Sequence, residues 1–583
     1  MSRHVRAATP SGHELVTGTR HAGRGFPRRW PDIYALGTGA AGLLLAVLDV
    51  IWLQHFQAHG PLNGDEAGYL ATAASDAQAL TGGGPVSLLH ALAGQHYGAP
   101  FAPLVASFVM SIFGVSAVVG LATLALFAAV LVLATYGVAR AVVPSPWAAL
   151  AAVVTGCMPA VLAFSRDFEF AVPSATVMAV ALWALLRSDG LKSPGWAVAF
   201  GIAVGVLVLT RTMALAYLPG IGLAALAVVA GRRRPRALLH LATAAVAAAI
   251  VAGLWYLPNF RTVGHYLLHF GYGSESTTTG PARSVASWGY WSKELILVGQ
   301  ELGLPLLVAL GIGVIWGVVL TVRRARVTIT SSWREFVGAD VVMLAVVVVE
   351  GYLALTSTRN MGSGFGLTWL PAVVVLAVAG LARLPGRWVR YLLAGVSAAA
   401  CVLSVVAASD VVVALSNPVT VSVPGLGRQP VVDGQAEVDI QLAGSDFPLQ
   451  PIGQPLAPRN WSNQLRDLTR VLLGASKANQ SPVVAAAFDP LFPADSFTWS
   501  ARAFFGRSIT AADLLPGSTQ ATTASLRTDG AQLLVVTVPK DYRPVGPSPA
   551  QLVVAARAAG FVPLAHVRTA NANFTVWRRA FRT

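Results

Sequence analysis

A polytopic α-helical membrane protein with a C-terminal extracytoplasmic α/β domain is the architecture this sequence predicts, and three observations carry that reading. Apolar stretches of helix-spanning length recur through the first 411 residues, and about 20 such residues cross a bilayer as a helix. Of 583 residues, 55% are hydrophobic and only 11% are charged, with a mean hydropathy of +0.62; a soluble domain carries about 25% charged residues. From about residue 415 the pattern changes to short apolar runs and amphipathic segments punctuated by Pro and Gly.

Residues 1–32 are basic and polar, and read as a disordered cytoplasmic tail with no signal-peptide pattern. Eleven candidate spans follow, at about 33–53, 116–139, 147–164, 170–187, 196–210, 214–230, 238–257, 298–321, 335–355, 368–383 and 388–411. The formal charge of +15 would suit a nucleic-acid partner, but its distribution excludes that class. Arg28 and Arg29, Arg140, Arg187 and Lys192, Arg232 to Arg236, Arg323 to Arg326, and Arg383 to Arg390 all fall between spans on one side. By the positive-inside rule that side is the cytoplasm. Cys157 and Cys401 each lie inside an apolar run, which argues against a disulfide framework or a thiolate metal site.

The membrane domain is therefore 33–411, and 412–583 lies outside. The outer face also receives the loop 54–115, the turn 165–169, the loop 258–297 and the turn 356–367. VSLLHALAGQHYGAP and APFAPLVASFVMSIFG within the first loop read as amphipathic helices lying in the membrane interface. In the C-terminal part QAEVDIQLA, SPVVAAAFD, AQLLVVTVPK and GFVPLAHVRTA read as strands, and WSNQLRDLTRVLLGAS and SPAQLVVAARAAG as helices. That part shows no nucleophile, metal or phosphate-loop pattern, so a structural or acceptor-guiding role is expected of it.

The charges that suggest chemistry gather on the outer face. HGPLNGDEAGYLATAA places Asp65 and Glu66 side by side just after the first span, and SRDFEF places Asp167 and Glu169 at the next outer turn. Arg211 interrupts VLVLTRTMALAYLPG at the same level, and charges near hydrocarbon either pair or serve a function. WYLPNFRTVGHYLLHFGYGSES adds Arg261, His265, Tyr266 and His269, with an interfacial aromatic belt as the plainer reading. LTSTRNMGSGFGLTWLP sets Arg359 in a Gly- and Ser-rich turn, where a guanidinium fork can meet phosphate oxygens.

In this order — a DE pair after the first span, an interfacial segment, SRDFEF, GVLVLTR, WYLPNFR, and an outer arginine before a Pro-ended aromatic span — residues 30 to 410 resemble the GT-C glycosyltransferases. The group containing the protein O-mannosyltransferases and the lipid A aminoarabinose transferase is the nearest likeness. The resemblance implies a polyprenyl-phosphate-sugar donor and work on the outer face. It makes Asp65 the carboxylate that acts as base or orients the acceptor, Glu66 its acidic neighbour and Asp167 the second acidic position, with Glu169 as the other candidate for that place. Arg211 stands where relatives often have Lys, and Arg359 matches a late arginine near the lipid phosphate, with Arg261 a further candidate. Glu169, His265, Tyr266 and His269 are expected to contact substrate.

The chemistry fits those residue types. A carboxylate takes the proton of an acceptor hydroxyl, and arginines or a divalent cation stabilise the departing phosphate. Asp65 and Asp167 are the candidate ligands for Mg²⁺ or Mn²⁺; the sequence leaves the presence of a metal open, and a zinc site built from His90, His96, His265 and His269 is the lesser alternative. Direct displacement inverts the anomeric centre. The expected acceptor is an envelope glycan, lipid or protein; high Ala and Gly content and a soluble outer domain suit an actinobacterial cell-envelope enzyme, and the resemblance implies an arabinosyl- or mannosyltransferase. A transporter or flippase would instead need midplane charges, of which Asp49 and Asp340 are the few candidates; a non-catalytic scaffold would not need Asp65. The topology is testable directly: cysteines placed singly at Ser445 and Ser518 should react with an impermeant thiol reagent on intact spheroplasts, and labelling only after lysis would invert it.

Overall fold

The computed structural model describes residues 32–57, 60–94, 98–232, 235–271, 286–337, 340–357, 362, 364–409, 419–432, 460–476, 481–487, 489, 491–514, 517–540, 546–570 and 572–580. Helix α1 (Ile33–Trp52) continues as a π-helical turn to Gln57. Next come α2 (Gly64–Ala93), α3 (Phe101–Phe113), α4 (Ala117–Val142), α5 (Ser145–Cys157), α6 (Pro159–Phe164), α7 (Ala171–Arg187) and α8 (Pro194–Thr210). A 3₁₀ turn, Thr212–Tyr217, leads into α9 (Leu218–Arg232), followed by α10 (Pro235–Gly271), α11 (Trp288–Leu302), α12 (Leu304–Val337), α13 (Asp340–Ser357), α14 (Leu370–Leu381) and α15 (Arg387–Ala408).

Every expected span has a helix, but the spans are not alike. Among the described residues seven helices are long and apolar enough to cross a membrane: Ile33–His55, Ala117–Val142, Thr212–Ala230, Arg236–His269, Leu304–Arg323, Asp340–Ser357 and Arg387–Ala408. The spans expected at 147–164, 170–187, 196–210 and 368–383 are short helices instead. From Ala171 to Leu185 every residue is buried except Val180 and Trp183, which are half-buried, so protein rather than lipid surrounds α7. Small residues allow that crowding: a Cβ on Gly380 would sit 1.9 Å from the Gly313 carbonyl oxygen, the close approach that membrane helices use for packing. The expected span 298–321 is corrected. Gly303 takes φ +75 and breaks it, leaving α11 outside and the span starting at Leu304.

The first loop is helical, as expected, but α2 is not simply laid along an interface. It is kinked at Gly84 (φ 67) before Pro85, and its first half packs between α3 and a helix of the C-terminal part.

That part opens with a two-stranded ribbon, β1 (Val419–Val423) and β2 (Gly427–Val432), and α16 (Trp461–Gly474). It continues through β3 (Val483–Ala487), α17 (Ala494–Phe505), β4 (Thr510–Leu514), α18 (Thr519–Thr528), β5 (Leu533–Pro539), α19 (Pro549–Ala558), β6 (Phe561–Arg568) and β7 (Ala572–Arg579). The sheet order is β4-β3-β5-β7-β6, parallel from β4 to β5 and antiparallel beyond. Three expected strands and both expected helices are present; the strand expected at 435–443 lies outside the described residues. The helices α17 and α18 and the strands β1, β2, β4 and β7 were not expected. TAADL is too short, and ANFTVWRR too charged, to stand out by alternation alone.

One buried ion pair ties the outer turn to the bundle. Arg166 Nε donates to Asp49 Oδ1 at 2.8 Å, Ser165 Oγ donates to Asp49 Oδ2 at 2.6 Å, and Arg166 Nη1 donates to the Ala408 carbonyl. The guanidinium also lies 4.5 Å from the Trp52 ring centroid. Removing one partner of a buried pair costs about 3–5 kcal/mol because a charge is left uncompensated. Asp49→Ala should therefore lower the thermal midpoint of the solubilised protein sharply, and Asp49→Ala with Arg166→Leu should recover part of the loss. An unchanged midpoint in the single variant would show that the pair does not hold the turn.

Candidate active site

The opening of α2 is fixed by Asn63. Its side chain accepts from the Glu66 N–H at 2.8 Å, and the Asn63 N–H donates to Glu66 Oε2 at 3.3 Å, a reciprocal capping box. Asp65 is therefore not the helix cap. It sits at the second helical position, where unpaired N–H groups favour a carboxylate. The Asn63 amide also donates to Asp167 Oδ1 at 3.0 Å, and Glu66 Oε1 accepts from the Phe168 N–H at 3.4 Å. One short sequence, NGDE, thus clamps the SRDFEF turn to the start of α2.

These bonds divide the acids by role. Glu66 (1% exposed) and Asp167 (0%) are interior members of the clamp. Burial, and then the Asp167 charge, push the Glu66 carboxyl well above its ordinary range. Asp65 keeps an exposed side chain while protein on its flanks raises its pKa by desolvation, which makes it a better base than a surface carboxylate. Glu169 is half-buried, its carboxyl raised well above normal by burial and by the Asp167, Asp65 and Glu66 charges.

Arg211 is drawn into this group, at 6% exposure. The chain is extended there, between α8 and the 3₁₀ turn, and the guanidinium lies 4.1 Å from the Phe170 ring centroid and 3.3 Å from that of Phe365. Tyr69, Tyr217, Tyr266 and Glu169 are close enough to feel its charge. Tyr266 is thus brought to the site. His265 and His269 are not: they are exposed, one turn apart on α10, and stack on each other at 4.1 Å between ring centroids. Arg261 is exposed on the same helix, over the ring of its neighbour Phe260. These three form an outward face of α10, so their expected substrate contacts have no geometric support. Arg359 lies outside the described residues. Among the described residues no three His, Cys, Asp or Glu side chains converge as a metal site.

The sequence reading missed two acids. Glu294 (1% exposed) and Glu301 (0%) lie seven residues apart on one face of α11. Glu301 Oε1 accepts from the Gly364 N–H at 2.8 Å. Both oxygens of Glu294 and Oε2 of Glu301 have no hydrogen-bond partner among the described residues. A Cβ on Gly366 would lie 2.9 Å from Glu294 Oε1 and 3.0 Å from Glu301 Oε2, so the pair faces one glycine. The signal was present in KELILVGQEL, but an expected span beginning at 298 hid the shared face.

The family model for dolichyl-phosphate-mannose-protein mannosyltransferase matches residues 97–256, which hold Asp167, Glu169 and Arg211 and begin after Asp65. No curated protein sequence matches the chain. Two crystal structures of ArnT from Cupriavidus metallidurans share the fold. The form bound to undecaprenyl phosphate has 18% identity and TM-score 0.51, covering 92% of this chain and 98% of that one. The apo form has 17% identity and TM-score 0.50, covering 93% and 98%. The oligosaccharyltransferase AglB from Archaeoglobus fulgidus, in complex with an inhibitory peptide and a dolichol-phosphate, is similar at 12% identity and TM-score 0.49, covering 87% and 70%.

The buried acids make stability depend on pH. Burial pushes the Glu294 carboxyl up to about 8 from 4.5, so between those values the folded chain holds a proton that the unfolded chain has lost. Stability should fall as pH rises through that window. Glu294→Gln should flatten the fall in thermal midpoint, and an identical slope in the variant would place the titration elsewhere. The segment matched by the family model lies inside the membrane bundle, and the chain as a whole has the fold of the ArnT structures.

Proposed function

We propose that the protein transfers a sugar from a polyprenyl-phosphate carrier to a hydroxyl of a cell-envelope glycan, lipid or protein on the outer face of the cytoplasmic membrane. Residues 33–411 form the catalytic bundle in this reading, the N-terminus is cytoplasmic, and 412–583 is the extracytoplasmic domain. The donor class is supported by the carrier named in the matched family and by the undecaprenyl phosphate bound to ArnT. The transporter alternative loses its best residue, because Asp49 is spent on Arg166 and Ser165.

One observation carries the assignment of the base: of Asp65, Glu66 and Asp167, only Asp65 is exposed and outside the hydrogen bonds of the clamp. Asp65 takes the proton as the acceptor oxygen attacks the anomeric carbon. The bond from that carbon to the phosphate oxygen breaks, and the configuration inverts. Arg211 supplies a fixed positive charge beside the reacting region, with Tyr266 and Glu169 on the sugar side. Arg359 remains a proposed phosphate contact on the strength of the resemblance. Of the two carboxylates expected to hold a divalent cation, Asp65 is exposed, whereas Asp167 is wholly buried with its Oδ1 bound to the Asn63 amide; a cation held at Asp65 would neutralise the leaving phosphate.

Asp65→Asn tests the base. The cap belongs to Asn63, so the fold and donor binding should be retained, while transfer falls by at least about a hundredfold. Glu66→Gln should cost stability as well as rate, because a carboxamide has one acceptor oxygen where Glu66 uses two, for the Asn63 and Phe168 N–H groups. Near-parental transfer by purified Asp65→Asn enzyme would remove Asp65 from the chemistry.

A further inference from the structure

The C-terminal part does not simply sit beside the membrane bundle. Helices α2 and α17 run alongside one another in the same direction, with their N-terminal ends together. A Cβ on Gly64 would lie 3.6 Å from Pro493 Cβ, and one on Gly68 would lie 3.4 Å from Asp495 Oδ2. Farther along, Gln78 Nε2 donates to the Arg502 carbonyl at 3.0 Å and Arg502 Nη1 donates to Gln78 Oε1 at 3.4 Å. Asp65 and Gly68 are three residues apart on α2 and so share a face. The Asp495 carboxyl therefore packs directly against that face at Gly68.

Three acids lie near the carboxyl ends of β3 and β4, Asp489 after β3, Asp495 in α17 and Asp513 within β4, and hydrogen bonding separates them. Asp489 accepts from the N–H groups of Leu491 and Phe492, at 2.9 and 3.1 Å, and shapes the turn before α17. Asp513 accepts from the Ala494 N–H at 3.0 Å and holds the first residue of α17. Asp495 has no hydrogen-bond partner among the described residues and is half-buried. Burial and the charge of Asp65 push its carboxyl up to about 6, as two carboxyls sharing one region require.

Sheet topology supplies an independent pointer. From β3 the chain passes through α17 to β4 on one side, then crosses to β5 on the other side of β3. In open α/β sheets ligands bind outside the carboxyl ends of the strands where the order reverses in this way. Here that end of the sheet carries α17, and α17 is the helix docked on the catalytic end of α2.

We propose that Asp495, from the C-terminal part, is an acceptor-positioning residue: its carboxyl hydrogen-bonds hydroxyl groups of a carbohydrate acceptor and aims one of them at Asp65. The inference rests on the proposed function for the reacting hydroxyl, but the carbohydrate contact is testable without it. A charge-assisted hydrogen bond to a hydroxyl is lost in Asp495→Ala and kept in part in Asp495→Asn.

Purified full-length protein and both variants would be compared for binding of mannotriose by calorimetry, for affinity toward undecaprenyl phosphate, and for transfer kinetics. The expected result is weaker mannotriose binding and a raised acceptor KM, by about tenfold to a hundredfold in Asp495→Ala and less in Asp495→Asn. Undecaprenyl phosphate affinity should stay close to parental, which a misfolded variant could not do, while kcat should fall because the bound hydroxyl is no longer aimed at Asp65. Equal mannotriose binding by parent and Asp495→Ala, or none by the parent, would overturn the proposal. Asp495-dependent mannotriose binding in a parent protein that transfers no sugar from a polyprenyl phosphate would overturn the function proposed above and leave this contact standing.

Discussion

The site depends on a charge pair placed where charge is most expensive. Asp49 lies near the C-terminal end of the first membrane helix and Arg166 in the turn after α6, and both are almost wholly buried. Neither could be accommodated alone; together, with Ser165, the Ala408 carbonyl and the Trp52 ring, they are compensated on several sides. The pair joins the first helix, the outer turn and the end of the last membrane helix at one point. The residue after Arg166 is Asp167, and the position of every acid at the site follows from where that turn is held.

From that anchor the site is organised by satisfied and unsatisfied carboxylates. Asn63 uses its side chain twice, closing the start of α2 and binding Asp167. Glu66 closes the same cap from the other side and reaches the Phe168 N–H. Two acids are thereby turned into framework, which leaves Asp65 open at the helix start. Arg211 faces this group from a sandwich of Phe170 and Phe365. The aromatic faces attract the cation and keep water from it, so its charge acts at short range on the site.

The C-terminal part belongs to the same physical unit. A single apolar cluster runs from Trp52, Leu62 and Leu70 through Phe168 to Trp461, Phe492 and Phe574. The start of α2 therefore packs on one side against the membrane helices and on the other against α17 of the C-terminal part. Gly64 and Gly68 lie in the second contact, against Pro493 and Asp495. A C-terminal part docked in this way covers one side of the start of α2, which a tethered one would leave open.

By itself the sequence determined the membrane class, a helix for each expected span, three strands of the C-terminal sheet, and the set of acids and the arginine — Asp65, Glu66, Asp167 and Arg211 — that the fold draws together. These are properties of local composition and periodicity: apolar length, basic residues between spans, and alternation in strands. Tertiary structure alone decided the rest. That Asn63 and not Asp65 caps α2, that His265 and His269 turn outward while Tyr266 turns in, and that Asp495 meets Gly68 are contacts between segments up to several hundred residues apart. Glu294 and Glu301 show the same limit. Their spacing is visible, but whether two acids on a helix face water or a buried glycine depends on what packs over them. Pairing between distant side chains leaves no trace in local pattern, because its energy comes from burial and hydrogen bonds that exist only once the chain has closed.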